Sequence, residues 1–192
     1  MNKLAEQMKK LNSYEPEHAG KLDIAETYLL LFLTGSVIGW IYELFFYWIF
    51  ENRISNNGFF YGPYLPIYGF GALLIVVLTR RFKKHPIAIF LLTIPITGIL
   101  EYVTGYAMYE LWATRWWDYQ GKFLNIGGFI CLRSVITFAV GAIALIYVIE
   151  PLIWMLSSKV SKRAKHIICI SILVIFAIDM VATILFRMPA FA

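Results

Sequence analysis

Four ionisable side chains lie inside long apolar stretches of this 192-residue chain: Glu43, Glu101, Arg133 and Asp179. An unpaired charge near the centre of a membrane helix costs about 2.5–3.5 kcal/mol, so such groups face one another or a water-filled cavity. A carboxyl in this setting can bind a cation, carry a proton or act as an acid–base group. Because all four fall in the outer half of their segments, we predict one shared pocket, with Arg133 hydrogen-bonded to an acid. The alternative is a buried structural ion pair.

The faces that carry these charges also carry small residues. Gly35, Gly39 and Glu43 recur every four positions, and Glu101 lies between two glycines that share its helical face. Small residues allow membrane helices to approach closely. The charged faces are therefore predicted to point into a helix bundle, and the packing residues are predicted to be Gly35, Gly39, Gly98 and Gly105.

Two loops rich in aromatic residues, 56–66 and 112–125, connect the charged segments on one side. They either form an interfacial belt of Trp and Tyr or re-enter the membrane as a cap, which is tolerated only where the backbone is buried in protein or lines water. With the four charged residues, the predicted ligand-binding residues are Tyr42, Tyr61, Tyr64, Trp117, Asp118, Tyr119 and Asn125.

The composition requires a membrane setting for these elements. Hydrophobic residues make up 60% of the chain and charged residues 15%, whereas soluble domains average about 45–50% and 25%. A soluble enzyme is therefore excluded. The fold class predicted is all-α, a polytopic helical membrane protein with five transmembrane helices. The five spans are predicted at 27–50, 66–79, 86–112, 128–150 and 167–186.

The domain organisation follows from these spans. Residues 1–26 are predicted to be a cytoplasmic tail with a short amphipathic helix, and 27–192 a single five-helix transmembrane domain. Asp23 and Glu26 resemble a capping box before the first span. Glycine-faced helices, glutamates and aromatic loops recur in the first two hairpins, which suggests a parallel repeat of two hairpins plus one helix.

The basic residues predict the orientation. With five spans, twelve of the 17 Lys and Arg residues fall on the side of the N-terminal tail and four on the opposite side. Cytoplasmic loops are enriched in Lys and Arg. The N-terminus is therefore predicted to be cytoplasmic and the C-terminus outside, and the basic runs are expected to contact lipid headgroups rather than nucleic acid.

No signature of metal, cofactor or nucleotide chemistry occurs in the sequence. Cys131 and Cys169 are predicted at opposite membrane depths, too far apart for a disulfide, and the chain has no CxxC, GxSxG or GxxxxGK[ST] motif. We therefore predict no cofactor, no metal site and no catalytic residue, and expect that the chain does not hydrolyse ATP through a P-loop of its own.

Several runs between Gly35 and Ser134 resemble the bacterial family named putative ABC-transporter type IV (CmpB-like). They are Gly39–Glu43, residues 57–71 with their Gly-Pro-Tyr-x-Pro-Ile-Tyr-Gly-Phe-Gly run, Trp117–Tyr119, Asn125 and Gly128. The resemblance implies an integral membrane component of a transporter in the bacterial cytoplasmic membrane, with a separate ATPase subunit as a partner. It implies no substrate and no catalytic residue.

Three functions remain open from the sequence. The favoured one is a transport or solute-binding subunit with an outward-facing acidic and aromatic pocket for a cationic or proton-coupled small molecule. The second is an intramembrane enzyme acting on a lipid or isoprenoid substrate, and the third is a non-catalytic membrane assembly protein. Expected partners are membrane lipids, a small-molecule solute, an ATPase subunit and a second copy of the chain, but not nucleic acid.

Overall fold

The computed structural model describes residues 20–52 and 58–187, which confirm the all-α prediction. Apart from one isolated β-bridge between Ile126 and Ile130, the regular structure of these residues is helical. The helices are α1 Lys21–Glu51, α2 Pro66–Thr79, α3 Pro86–Trp112, α4 Leu132–Ala144, α5 Glu150–Lys159 and α6 Lys162–Ala182. A 3₁₀ turn (Arg80–Phe82) extends α2, and π turns join α4 to α5 (Leu145–Ile149) and extend α6 (Thr183–Arg187).

Four helices of the described residues are long and apolar enough to cross a membrane: Lys21–Phe50, Pro86–Trp112, Leu132–Lys159 and Lys162–Arg187. The chain is a multi-pass membrane protein. The fifth predicted span, Pro66–Thr79, is a helix of 14 residues. At 1.5 Å per residue it is about 21 Å long, shorter than a hydrocarbon core of about 30 Å. Four of the five predicted spans therefore meet the length that a crossing helix needs.

The start of α2 lies at mid-depth because the chain turns inward before it. Ser36 lies midway along α1, and its carbonyl accepts a hydrogen bond from the amide of Leu65 at 3.0 Å. Pro66 occupies the beginning of the helix, where its missing N–H leaves no bond unmade. Residues 58–65 thus run from the C-terminal end of α3, where the ring centroids of Phe59 and Trp112 lie 6.1 Å apart, to Ser36 midway along α1, and we call them the re-entrant segment.

Helix α2 packs antiparallel along the N-terminal half of α1, which we call the inner half, and the end of the bundle near the C-terminus of α1 is called the outer end. A Cβ atom on Gly39 would lie 2.1 Å from Cγ of Tyr68, and one on Gly35 would lie 2.8 Å from Cβ of Ala72. Below these contacts the two helices join α3 and α4 in one apolar core. The outer half of α1, beyond Gly39, extends past the N-terminal end of α2. The core residues are Leu31, Ala72, Ile75, Val76, Ile89, Ala142, Leu145 and Ile146.

Polar contacts attach α6 to α1 at the inner end of the bundle. Asp23 forms an ion pair with Lys165, and Oε1 of Glu26 lies 2.7 Å from Nδ1 of His166. The capping-box prediction is therefore wrong, because α1 begins at Lys21 and these two acids project from inside it. The predicted amphipathic helix lies outside the described residues.

Candidate functional site

A cavity lies where the short α2 leaves the outer half of α1 uncovered. Its volume is ≈ 50 Å³, and a water molecule requires about 10–15 Å³ on this scale. The cavity therefore has room for a few water molecules. Residues from α1, α2, α3, α4 and the loop before α4 line it: Tyr42, Glu43, Phe46, Tyr47, Tyr68, Glu101, Tyr119, Arg133, Ser134, Thr137 and Phe138.

Glu101 is the most buried acid of the cavity, with 4% of its surface exposed. Its Oε1 accepts a long hydrogen bond of 3.3 Å from the hydroxyl of Tyr119. Its Oε2 is buried and has no hydrogen-bond partner within the described part of the chain, because the hydroxyl of Ser134, which also lines the cavity, donates to the carbonyl of Cys131 at 2.9 Å instead. A carboxylate oxygen can accept two hydrogen bonds, so Glu101 presents an unsatisfied acceptor inside the bundle.

Glu43 reaches the cavity from α1 and is half-buried. Its Oε1 accepts a hydrogen bond of 3.1 Å from the hydroxyl of Tyr68. The ring of Tyr68 is held between Gly39 and Phe138, whose ring centroid lies 5.1 Å from that of Tyr68. The position of the Glu43 carboxyl therefore depends on close packing of α1, α2 and α4.

Tyr119 brings the loop between α3 and α4 into the cavity. Its amide donates to the carbonyl of Gly128 at 2.9 Å, which fixes the loop above the cavity. Burial, together with the nearby carboxyl of Glu101, raises the pKa of Tyr119 above its ordinary value. The hydroxyl therefore stays protonated at neutral pH and remains a donor to Glu101.

Arg133 lines the same cavity but does not form the predicted hydrogen bond with an acid. Among the described residues it has no ion pair with Glu43, Glu101 or Asp179 within 4.0 Å. Its guanidinium lies 4.5 Å from the ring centroid of Phe46 instead. Arg133 is the second residue of α4, so it sits at the outer end of the helix, where an aromatic face stabilises a cation without removing it from water.

Asp179 lies away from the cavity and anchors the re-entrant segment. Its carboxylate accepts hydrogen bonds from the amides of Tyr61 (3.0 Å) and Gly62 (2.9 Å) and from the hydroxyl of Tyr64. It also accepts from Thr183 at 3.2 Å. The structure thus separates Asp179, Tyr61 and Tyr64 from the two glutamates with which they were predicted to form one pocket.

The remaining predicted ligand residues hold the outer loop together. Trp117 donates its indole N–H to the carbonyl of Phe129 at 2.8 Å, and Asp118 accepts from the amide of Gln120 at 2.8 Å. The side chain of Asn125 donates to the carbonyl of Lys122 at 2.9 Å. Of the loop residues predicted as ligands, Tyr119 lines the cavity, and these three form its support.

Sequence reasoning missed several cavity residues. Tyr68 is the most important, because it holds Glu43 in place, and its only signal was its position inside the run of glycines and prolines from Gly62 to Gly71. Thr137 shares a helical face with Arg133, which was a usable signal. The other missed residues were Phe46, Tyr47, Ser134 and Phe138.

The family described as "Putative ABC-transporter type IV" matches residues 30–184. The chain belongs to this family. The match extends over all the cavity residues, from Tyr42 to Phe138, and over Asp179. The family description, together with the four long apolar helices, indicates an ABC-transporter-type membrane protein. No curated protein and no solved structure matches the chain.

Proposed function

We propose that the chain is the transport or solute-binding subunit of a membrane transporter, with an outward-facing cavity for a small cation or a proton-coupled solute. One observation carries this proposal: Glu43 and Glu101, from different helices, line the same cavity, and one carboxyl oxygen of Glu101 has no partner among the described residues. Because the sequence has no P-loop, energy from ATP would come from a separate ATPase subunit.

The charge of the cavity favours a positively charged species. With both acids ionised and Arg133 present, the walls carry a net charge of −1. The aromatic rings of Tyr42, Phe46 and Tyr119 line the same space, and aromatic faces attract cations. Since Asp179 is placed elsewhere, the negative charge is smaller than three acids would give, and a single positive charge would neutralise it.

The proposed path of the chain keeps five crossings. The re-entrant segment and α2 together would carry the chain across the membrane once, because α2 starts at the depth of Ser36. The bias of basic residues then places the N-terminus in the cytoplasm and the cavity towards the outside. A parallel repeat is supported by one correspondence, since the glutamate of each hairpin accepts a hydrogen bond from a tyrosine, Tyr68 or Tyr119.

This orientation predicts the labelling of two introduced cysteines, Gln120→Cys and Lys84→Cys. Both positions are exposed, and the native Cys131 and Cys169 are buried, so background labelling should be low. A membrane-impermeant maleimide added to intact cells should label position 120 and spare position 84. Permeabilised cells serve as the control and should show both labelled. The reverse pattern in intact cells would reject the orientation.

The functional proposal is tested in liposomes that contain the purified protein and a pH-sensitive dye. We expect the wild-type protein to dissipate an imposed pH gradient or to take up labelled methylammonium faster than empty liposomes. Glu101→Gln should slow this flux by at least about tenfold, because glutamine keeps the shape of the side chain but cannot exchange a proton or hold a cation.

Glu110→Gln is the matched control, since Glu110 is an exposed acid on the same helix. It should retain the wild-type flux. If neither proton nor methylammonium flux exceeds that of empty liposomes, or if Glu101→Gln transports like the wild type, the proposed function is rejected.

A further inference from the structure

We propose that Glu43 and Glu101 share one exchangeable proton, and that the species the cavity binds is this proton rather than a metal ion or an organic cation. The inference rests on the proposed function and names its ligand. It begins from the unpartnered oxygen of Glu101, which belongs to a side chain that is 4% exposed.

The size and ligand set of the cavity favour a proton over larger guests. A volume of ≈ 50 Å³ accommodates a few waters but leaves little room for a carbon skeleton between the aromatic side chains. Hard metal ions such as Ca²⁺ take six to eight oxygen ligands. Within residues 20–52 and 58–187, no group of three or more His, Cys, Asp or Glu side chains that could hold a metal ion occurs.

The burial of Glu101 favours a bound proton. An ionised carboxylate without a partner in an apolar interior is costly, whereas the protonated acid is neutral and can donate a hydrogen bond. Oε1 already accepts from Tyr119, so Oε2 is the atom on which the proton would reside. Water in the cavity would carry the proton between Oε2 and the carboxyl of Glu43.

The different surroundings of the two acids set the number of protons at one. Glu101 is buried and one of its oxygens has no partner among the described residues, whereas Glu43 is half-buried and accepts a hydrogen bond from Tyr68 at 3.1 Å, so a single proton neutralises the more buried acid. The tyrosine hydroxyls add no charge while they are protonated, as the raised pKa of Tyr119 indicates for that residue. The titratable and charged groups that line the cavity are Tyr42, Glu43, Tyr47, Tyr68, Glu101, Tyr119 and Arg133.

Infrared spectroscopy of the purified protein in lipid nanodiscs tests this inference without any transport. Exposed Asp and Glu side chains are ionised at pH 7, so a C=O band of a protonated carboxyl reports a buried one. We expect an intensity of about one protonated carboxyl per chain, and a shift of the band in D₂O, since the proton exchanges with water in the cavity.

Four variants assign the band. Glu101→Gln should remove it, because Glu43 is half-buried, accepts a hydrogen bond from Tyr68 and stays ionised. Glu43→Gln should leave a band of the same intensity at a shifted frequency, because Glu101 then holds the proton without a second carboxyl. Glu110→Gln should leave the band unchanged. Arg133→Gln should raise the intensity, since the positive charge on the cavity wall is then lost. Size-exclusion profiles identify any variant that fails to fold. The band of the wild-type protein tests the proposal even if a variant is lost in this way.

Several results would overturn the proton site. They are the absence of the band in the wild-type protein at pH 7, its persistence in Glu101→Gln, an unshifted frequency in Glu43→Gln, and its loss when sodium replaces choline in the buffer. This readout is separate from the liposome assay. An intact band without flux would reject the proposed function alone, and flux without the band would reject the proton site alone.

Discussion

Replacing Asp179 with alanine should lower the free energy of unfolding by about 3 kcal/mol or more. The carboxylate accepts hydrogen bonds from the amides of Tyr61 and Gly62 and from the hydroxyls of Tyr64 and Thr183. Irregular backbone beside membrane helices has little water to replace a lost acceptor, so its polar groups need protein partners. Removal of this one side chain would leave several donors of the re-entrant segment unsatisfied.

Two further variants separate this anchoring role from a general effect of charge. Asp179→Asn keeps one acceptor oxygen and the shape of the side chain, so its loss of stability should be intermediate. Asp118→Ala is the control, because Asp118 is exposed and accepts a bond from the amide of Gln120. Thermal unfolding of the purified variants in the same detergent gives the order of their stabilities. Equal unfolding temperatures for Asp179→Ala and Asp118→Ala would contradict the anchoring role.

The contrast between Asp179 and the two glutamates shows which contacts of the site can be predicted from the sequence. Depth along an apolar segment and a shared helical face, which are both local properties of a helix, led to the prediction that Glu43 and Glu101 share a pocket, and both residues line the cavity. The partners of Asp179 are backbone amides 117 and 118 positions away. No periodicity encodes them, because they depend on how the re-entrant segment folds inward.

Arg133 illustrates a second limit of the sequence. Its position inside the predicted span 128–150 indicated a hydrogen bond to an acid of the shared pocket, but α4 begins at Leu132, so the side chain lies at the outer end of that helix. A difference of a few residues in where α4 begins decides whether the guanidinium of Arg133 contacts an acid inside the bundle or an aromatic ring at its surface. The guanidinium accordingly lies over Phe46.

The helical class and four of the spans could be predicted from local sequence alone. Long apolar segments bounded by charges and prolines identify membrane helices by themselves. The fifth segment was also correctly identified as helical, but its length of 14 residues left open what precedes it. The cavity results from this short helix, since the outer half of α1 would otherwise be covered.

Two glycine-to-alanine substitutions on membrane helices should change stability in opposite directions. At Gly39 an added Cβ would lie 2.1 Å from Cγ of Tyr68, whereas at Gly141 it would meet no heavy atom within 4 Å. Alanine favours a helix over glycine by about 1 kcal/mol, and overpacking a close contact costs about 1–3 kcal/mol, occasionally more. Gly141→Ala should therefore be stabilised, and Gly39→Ala destabilised by about 2 kcal/mol.

The Gly39→Ala variant should also disturb the cavity, because the contact atoms belong to the residue that holds Glu43. Cγ and Cβ of Tyr68 cannot move away without shifting the ring from Phe138, and the hydroxyl then leaves the carboxyl that it contacts at 3.1 Å. Tyr68→Phe removes the same hydrogen bond without the steric clash. It should therefore reproduce the change in the carboxyl infrared band of Gly39→Ala with a smaller loss of thermal stability. A shift of the same sign in the unfolding temperatures of Gly39→Ala and Gly141→Ala would mean that helix propensity, and not the α1–α2 contact, determines stability at these positions.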